Sequence, residues 1–198
     1  MTVSIHPQGS AEWFQERRGV PSASNFDKII TSTGKRSTQR TKYMYQLAGE
    51  KLGAITEESY QSFAMTRGIE MEAEARKLYE IAREPVTLCG FFYVDGYGAS
   101  PDGTIGEDGI LEIKCPLLST HIEYLLKDEI PTDYYQQTQG QLLVTGRKWV
   151  DFCSYYPGVK PLIVREEPEP VFQDLLKKEY QVIHEWSQER NVIFEVNV

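Results

Sequence analysis

Apolar residues recur at helical spacing over two long stretches of this chain. Residues 57–84 carry Phe63, Met65, Ile69, Met71, Ala75, Leu78, Tyr79 and Ile81, which predicts the longest helix. Gly68 weakens its middle, leaving either two helices or one that packs closely there. Residues 169–190 set Phe172, Leu175, Leu176, Tyr180, Ile183 and Trp186 on one face of a terminal amphipathic helix. Shorter helices are predicted over 10–18, capped by Ser10 with Trp13 and Phe14 inward, and from 21–24, with Ser22 or Ser24 as cap and Phe26, Ile29 and Ile30 buried. Others follow over 41–52, ended by Gly53, over 119–126, and over 131–145 with Thr132 as cap. Residues 31–41, TSTGKRSTQRT, have no apolar period and read as an exposed loop. Strands are predicted at 90–94, 98–103, 110–115, 149–156 and 162–165. Helices, a strand cluster, helices, two strands and a helix make an α/β fold, a central mixed β-sheet flanked by helices. With no repeat, linker or low-complexity tract, residues 1–198 are taken as a single domain.

One stretch of that pattern carries chemistry. Residues 99–116 read ASPDGTIGEDGILEIKCP. Side chains alternate along a strand, so Glu112 and Lys114 share one face while Leu111 and Ile113 take the apolar one. The turn Gly106-Glu107-Asp108-Gly109 fits a hairpin that folds Asp102 back beside Glu112. Two carboxylates, with the Ile113 carbonyl between Glu112 and Lys114, offer the oxygen ligands that Mg²⁺ takes. One or two such ions would neutralise a phosphodiester and lower the pKa of a bound water. Lys114 could orient or help deprotonate that water and offset the developing charge. The same residues also suit an ordinary hairpin with a solvated outer face.

Composition narrows the setting. The net charge of −8 argues against a broad nucleic-acid-binding surface. The charge is uneven, however: residues 1–51 hold eight Lys/Arg against four Asp/Glu, and the remainder thirteen against twenty-five. The basic quarter could face DNA, with Lys35, Arg36 and Arg40 in its polar loop as candidate contacts, or it could be a solvated surface. No run reaches membrane length and no signal peptide is visible. The odd, scattered Cys89, Cys115 and Cys153 fit a reducing compartment and form no zinc or iron–sulfur pattern.

Four ordered blocks extend the hairpin motif. Ser100-Pro101-Asp102-Gly103 with Leu111-Glu112-Ile113-Lys114-Cys115-Pro116 resembles the phage lambda exonuclease-like viral recombinases, a family within the PD-(D/E)xK nucleases. Residues 13–24, WFQERRGVPSAS, are similar to that family's W-x3-R-x-G-x-x-x-A-S segment. Residues 67–76, RGIEMEAEAR, resemble its G-x3-E-x-x-A-R helix, and residues 134–139, YYQQTQ, its Y-x-x-Q-x-Q helix. The chain departs from the pattern at Arg67, where an aromatic precedes the glycine in the family, and its C-terminal strand and helix carry no matching motif.

The resemblance implies roles by position. Asp102 and Glu112 would be the main metal ligands, joined by the Ile113 carbonyl and by Glu72 from the long helix, with Lys114 the catalytic lysine and Gln137 placing water or phosphate. Arg17, with Arg18 an open alternative, would bind a 5′-terminal phosphate together with Ser24 and Ser100. It implies a Mg²⁺-dependent exonuclease, with two ions per site and Mn²⁺ an alternative. This enzyme would digest one strand of linear duplex DNA 5′→3′ to mononucleotides and leave a 3′ tail for recombination. It further implies a homotrimeric ring, a single-strand annealing protein as partner, and the cytoplasm of a bacterial or phage-infected cell. Two other classes fit parts of the pattern. A structure-selective or nicking endonuclease of the same fold would cut closed circular DNA, and a non-catalytic DNA-end-binding module would release no nucleotides.

Overall fold

A computed structural model describes residues 1–52 and 63–191. A four-stranded mixed sheet forms its centre, in the order β4 (Gly103–Ile105), β5 (Gly109–Lys114), β6 (Trp149–Ser154), β7 (Leu162–Glu166). The β4–β5 hairpin is antiparallel, with Gly103 opposite Leu111 and Ile105 opposite Gly109. Gly106 in its turn takes a φ of +53°, which costs glycine nothing. Asp102 lies just before β4, and its N–H donates to the Leu111 carbonyl at 2.9 Å, so the hairpin folds it back as anticipated. β5 and β6 run parallel and need a long crossover, supplied by α4 (Leu118–Lys127) and α5 (Thr132–Thr145). A smaller sheet, β1 (Thr2–Val3), β2 (Phe92–Val94) and β3 (Tyr97–Ala99), closes through Asp95 and Gly96, both at positive φ.

Two apolar clusters flank the site. One gathers Ala75 and Tyr79 of α3 (Phe63–Ala82) with Ile105, Leu111, Ile113, Cys115, Cys153 and Tyr155. The other packs Phe26, Ile29 and Ile30 against α2 (Arg40–Lys51), the small sheet and α6 (Pro170–Asn191). α5 runs through the interior and buries Gln136, Thr138, Gln139 and Gln141. Its Gly140 is required by contact, since a Cβ there would meet the Phe26 ring at 2.2 Å.

Several boundaries shift. Ser10 caps α1 (Ala11–Arg17) through the Trp13 N–H, but Phe14 points outward at 61% exposure. Residues 23–28 form a 3₁₀ helix rather than an α-helix, and neither Ser22 nor Ser24 caps it with its side chain. Pro131 takes the cap position of α5 and Thr132 becomes its first residue, because proline already fixes the extended φ of a cap. The predicted strand 98–103 breaks at Ser100–Asp102 into β3 and β4, which belong to different sheets. α3 runs unbroken through Gly68, with no neighbour within 4 Å of its Cβ position among the described residues, and its Ile81 is exposed. Gly53 and the start predicted for this helix at 57–62 lie outside the described residues. Among those described, no helix is long and apolar enough to cross a membrane.

Candidate active site

The break between β3 and β4 makes the site. Glu72 of α3, Asp102 of the connecting loop, and Ile113 and Lys114 at the end of β5 line one cleft of about 520 Å³, with Thr120 of α4 and Tyr134 of α5 on its far wall. The Asp102 Oδ2 accepts the Ile113 N–H at 2.6 Å, which fixes the carboxylate against the strand. Burial, then the like charges of Glu112 and Glu72, push the Asp102 carboxyl well above its usual range, while Lys114 and the Ile113 N–H act against the rise. Lys114 is raised: burial works to strip its proton, but the Glu112 and Asp102 carboxylates outweigh it. Its ammonium also sits 5.0 Å from the centre of the Tyr134 ring. Cys115 borders the cleft, yet burial and the Glu72 charge lift its thiol to about 11, away from thiolate chemistry.

Glu112 is 2% exposed and fully occupied. Its Oε1 accepts from the Lys114 ammonium and from Gln137 Nε2 at 2.6 Å, and its Oε2 accepts from Gln141 Nε2 at 2.6 Å. Glu72 is held by Arg76, an i,i+4 pair one turn on. Among the described residues no three Asp, Glu, His or Cys side chains form a ready-made metal cage. Of the expected carboxylates, Glu72 and Asp102 line the cleft, whereas Glu112 is buried among Lys114, Gln137 and Gln141 and is not part of its lining, and each of the three is turned toward a donor of the protein itself. The donor set still fits a hard divalent ion: it is all oxygen, with Glu72, Asp102 and the Ile113 backbone at the cleft.

A second constellation adjoins the first. Arg17 Nη1 donates to Ser100 Oγ at 2.9 Å, and Nη2 lies 3.1 Å from Ser22 Oγ and 3.4 Å from Ser24 Oγ. Trp13 Nε1 also donates to Ser100 Oγ at 3.1 Å, and the guanidinium stacks 4.3 Å over the Trp13 ring. Arg17 has no carboxylate within salt-bridge distance among the described residues, and burial lowers its pKa to about 10, still far above neutral pH. Arg18 is exposed outside the cluster, so Arg17 is the arginine aimed at these hydroxyls. A half-buried guanidinium beside three hydroxyls offers donors of the kind an anion takes. Ser100 and Asp102 are two residues apart, a span of at most about 7 Å, so the Arg17 cluster lies close to the acidic cleft.

The basic loop is arranged differently from its sequence reading. Arg36 Nε lies 2.9 Å from Glu179 Oε1 and Arg40 Nε 3.0 Å from Glu179 Oε2, so a glutamate of α6 engages both. Lys35 is exposed, with no ion-pair partner among the described residues. Sequence reasoning missed Ser22, Trp13, Tyr134 and the Gln141 contact. Each left a trace without a site role: Trp13 and Tyr134 open two of the sequence blocks, Ser22 was a cap candidate, and Gln141 stands one turn from Gln137.

Comparison with known proteins agrees with this geometry. The YqaJ-like viral recombinase domain matches residues 12–148, a span that contains all four sequence blocks. The crystal structure of LHK-Exo, an alkaline exonuclease from Laribacter hongkongensis, is similar at a TM-score of 0.83 and 32% identity, covering 91% of this chain and 94% of that one. Its complex with dAMP gives a TM-score of 0.82 at the same identity and coverage. A phage-related exonuclease from Haemophilus somnus 129PT shares the fold at a TM-score of 0.69 and 14% identity, over 92% of this chain and 100% of that one. No curated protein sequence matches the chain. With the family match over residues 12–148 and the fold in agreement, this chain belongs to the YqaJ-like viral recombinase family, of the PD-(D/E)xK nuclease fold.

Proposed function

We propose that the protein is a divalent-metal-dependent 5′→3′ exonuclease that digests one strand of linear duplex DNA from a 5′-phosphorylated end. The observation that carries this reading is the closeness of the Arg17 cluster to the acidic cleft: Arg17 bonds Ser100, two residues before Asp102. A terminal phosphate on Arg17, Ser24 and Ser100 leaves the next phosphodiester facing Asp102 and Lys114. An endonuclease would have no use for such a pocket beside its cutting site. The dAMP held by LHK-Exo is the kind of product such cleavage releases.

The chain's own groups divide the work. Arg17 supplies a planar fork and a fixed charge to the terminal phosphate, and its stacking on Trp13 keeps that fork in place. Asp102, Glu112, Glu72 and the Ile113 carbonyl would hold Mg²⁺, with Mn²⁺ the alternative, and a bound ion would supply charge neutralisation and a water of lowered pKa. Lys114 keeps its proton between two carboxylates, which suits it to offset charge on the reacting phosphate. Gln137 donates to Glu112 and so acts on the reaction through that acid. Lys35 is the loop cation open to a DNA phosphate. A ring of three copies would let an acidic chain retain DNA by topology. The 3′ strand left behind is the substrate of a single-strand annealing protein, the natural partner. Duplexes labelled at the 5′ or the 3′ end test the polarity: early release of the 5′ label as a mononucleotide supports it, and early release of the 3′ label overturns it.

A further inference from the structure

We propose that Gln141 is a positioning residue for the metal site, setting the carboxylate of Glu112 from behind. The inference rests on the reading of Glu112 as a metal ligand and adds a residue to it. Gln141 is completely buried in the middle of α5, where an apolar side chain would be the ordinary occupant. It stands one helical turn after Gln137, so both amides project from the same face of α5 toward β5. Gln137 takes Glu112 Oε1 and Gln141 takes Oε2, each at 2.6 Å. Among the described residues Gln141 is the sole hydrogen-bond donor to Oε2, whereas Oε1 has Lys114 and Gln137.

The other end of the amide argues for the same role. Gln141 Oε1 is buried without a hydrogen-bond partner among the described residues. Turning the amide over would place that oxygen against the Glu112 carboxylate, so the orientation is imposed by the acid. A buried orphan acceptor is a cost that a leucine at this position would not carry. The Gln137–Gln141 clasp fixes the carboxylate plane while Glu112 faces Lys114, and partners of a ligating carboxylate tune how well it binds. Gln141 reaches neither the cleft nor the Arg17 pocket, so it acts only through Glu112.

The test is Mn²⁺ binding to the DNA-free protein, followed by calorimetry and by the electron paramagnetic resonance of free Mn²⁺, for the unmutated chain, Gln141→Leu and Gln141→Asn. Urea unfolding of each protein is measured alongside. Asparagine keeps an amide but is one methylene too short to reach Oε2, and it preserves a polar interior should leucine prevent folding. Expected is a Mn²⁺ affinity about 10- to 100-fold weaker in both variants, with nuclease turnover recovering as the ion is raised. A structural role alone would lower the urea midpoint and leave the affinity unchanged, and that result overturns the proposal. Turnover that does not recover at saturating Mn²⁺ overturns it as well. Absence of Mn²⁺ binding by the unmutated protein would instead remove the metal-site reading beneath it.

Discussion

Replacing Arg17 with alanine should erase the advantage of a 5′-phosphate while sparing the chemistry. The guanidinium is held by three hydroxyl contacts between 2.9 and 3.4 Å and faces no carboxylate among the described residues. With its pKa lowered only to about 10, it remains a cation at any working pH. Two charge-assisted hydrogen bonds to a phosphate, at about 1.5 kcal/mol each, amount to about 3 kcal/mol. That is about 10²-fold in kcat/KM on phosphorylated ends, with little change on hydroxyl ends. Arg17→Lys keeps the charge but loses the fork and the stack on Trp13, so it should fall between, about tenfold down. The assay compares initial rates on duplexes that differ only at the 5′ terminus, with urea midpoints to separate lost packing from lost recognition. Equal loss on both ends in Arg17→Ala would mean that the arginine only braces Trp13 and Ser100. Equal rates on both ends in the unmutated protein would remove the pocket altogether.

Other perturbations separate the remaining roles. Lys114→Ala should lower turnover by about 10³-fold, the scale of a deleted charge-stabilising donor, while fluorescence anisotropy still reports DNA-end binding. Retained turnover would contradict a catalytic role for the lysine. Glu72→Ala should raise the Mg²⁺ concentration needed for half-maximal rate by about tenfold, and an unchanged requirement would return Glu72 to its pair with Arg76. Arg165→Ala tests the fold apart from the site. Arg165 donates to both oxygens of buried Asp151 at 2.7 and 2.8 Å, and Tyr79 donates to the same carboxylate at 2.6 Å. Because Arg165 is partly exposed, its loss should cost about 2 kcal/mol in urea unfolding, with the rate per folded molecule retained.

What could be read from the sequence was local. The Gly106–Gly109 turn and the alternation through Glu112 and Lys114 needed only neighbours in the chain, and the hairpin formed in that register. The buried faces of the 3₁₀ segment and of α6 followed in the same way from Phe26, Ile29, Ile30 and the run from Phe172 to Ile183. The illegible parts depend on distant partners. Arg36 and Arg40 looked free because Glu179 is far along the chain. Phe14 looked buried because a short helix gives too few turns to fix its inner face, and that face belongs to Trp13 and Arg17, which meet Ser100. The break at Ser100–Asp102 carries no strong turn residue beyond Pro101, yet it separates two sheets and opens the cleft. Gln141 was hidden by its polarity: a polar position in a helix reads as solvated until its buried acid is known.

The hydrolytic role of the acidic cleft is tested most directly by offering the protein 5′-phosphorylated linear duplex and covalently closed circular duplex side by side, with and without Mg²⁺. Mononucleotides released from the linear DNA alone, and only when Mg²⁺ is present, are the predicted result. Cutting of the closed circle, or release that persists in a chelator, would contradict it.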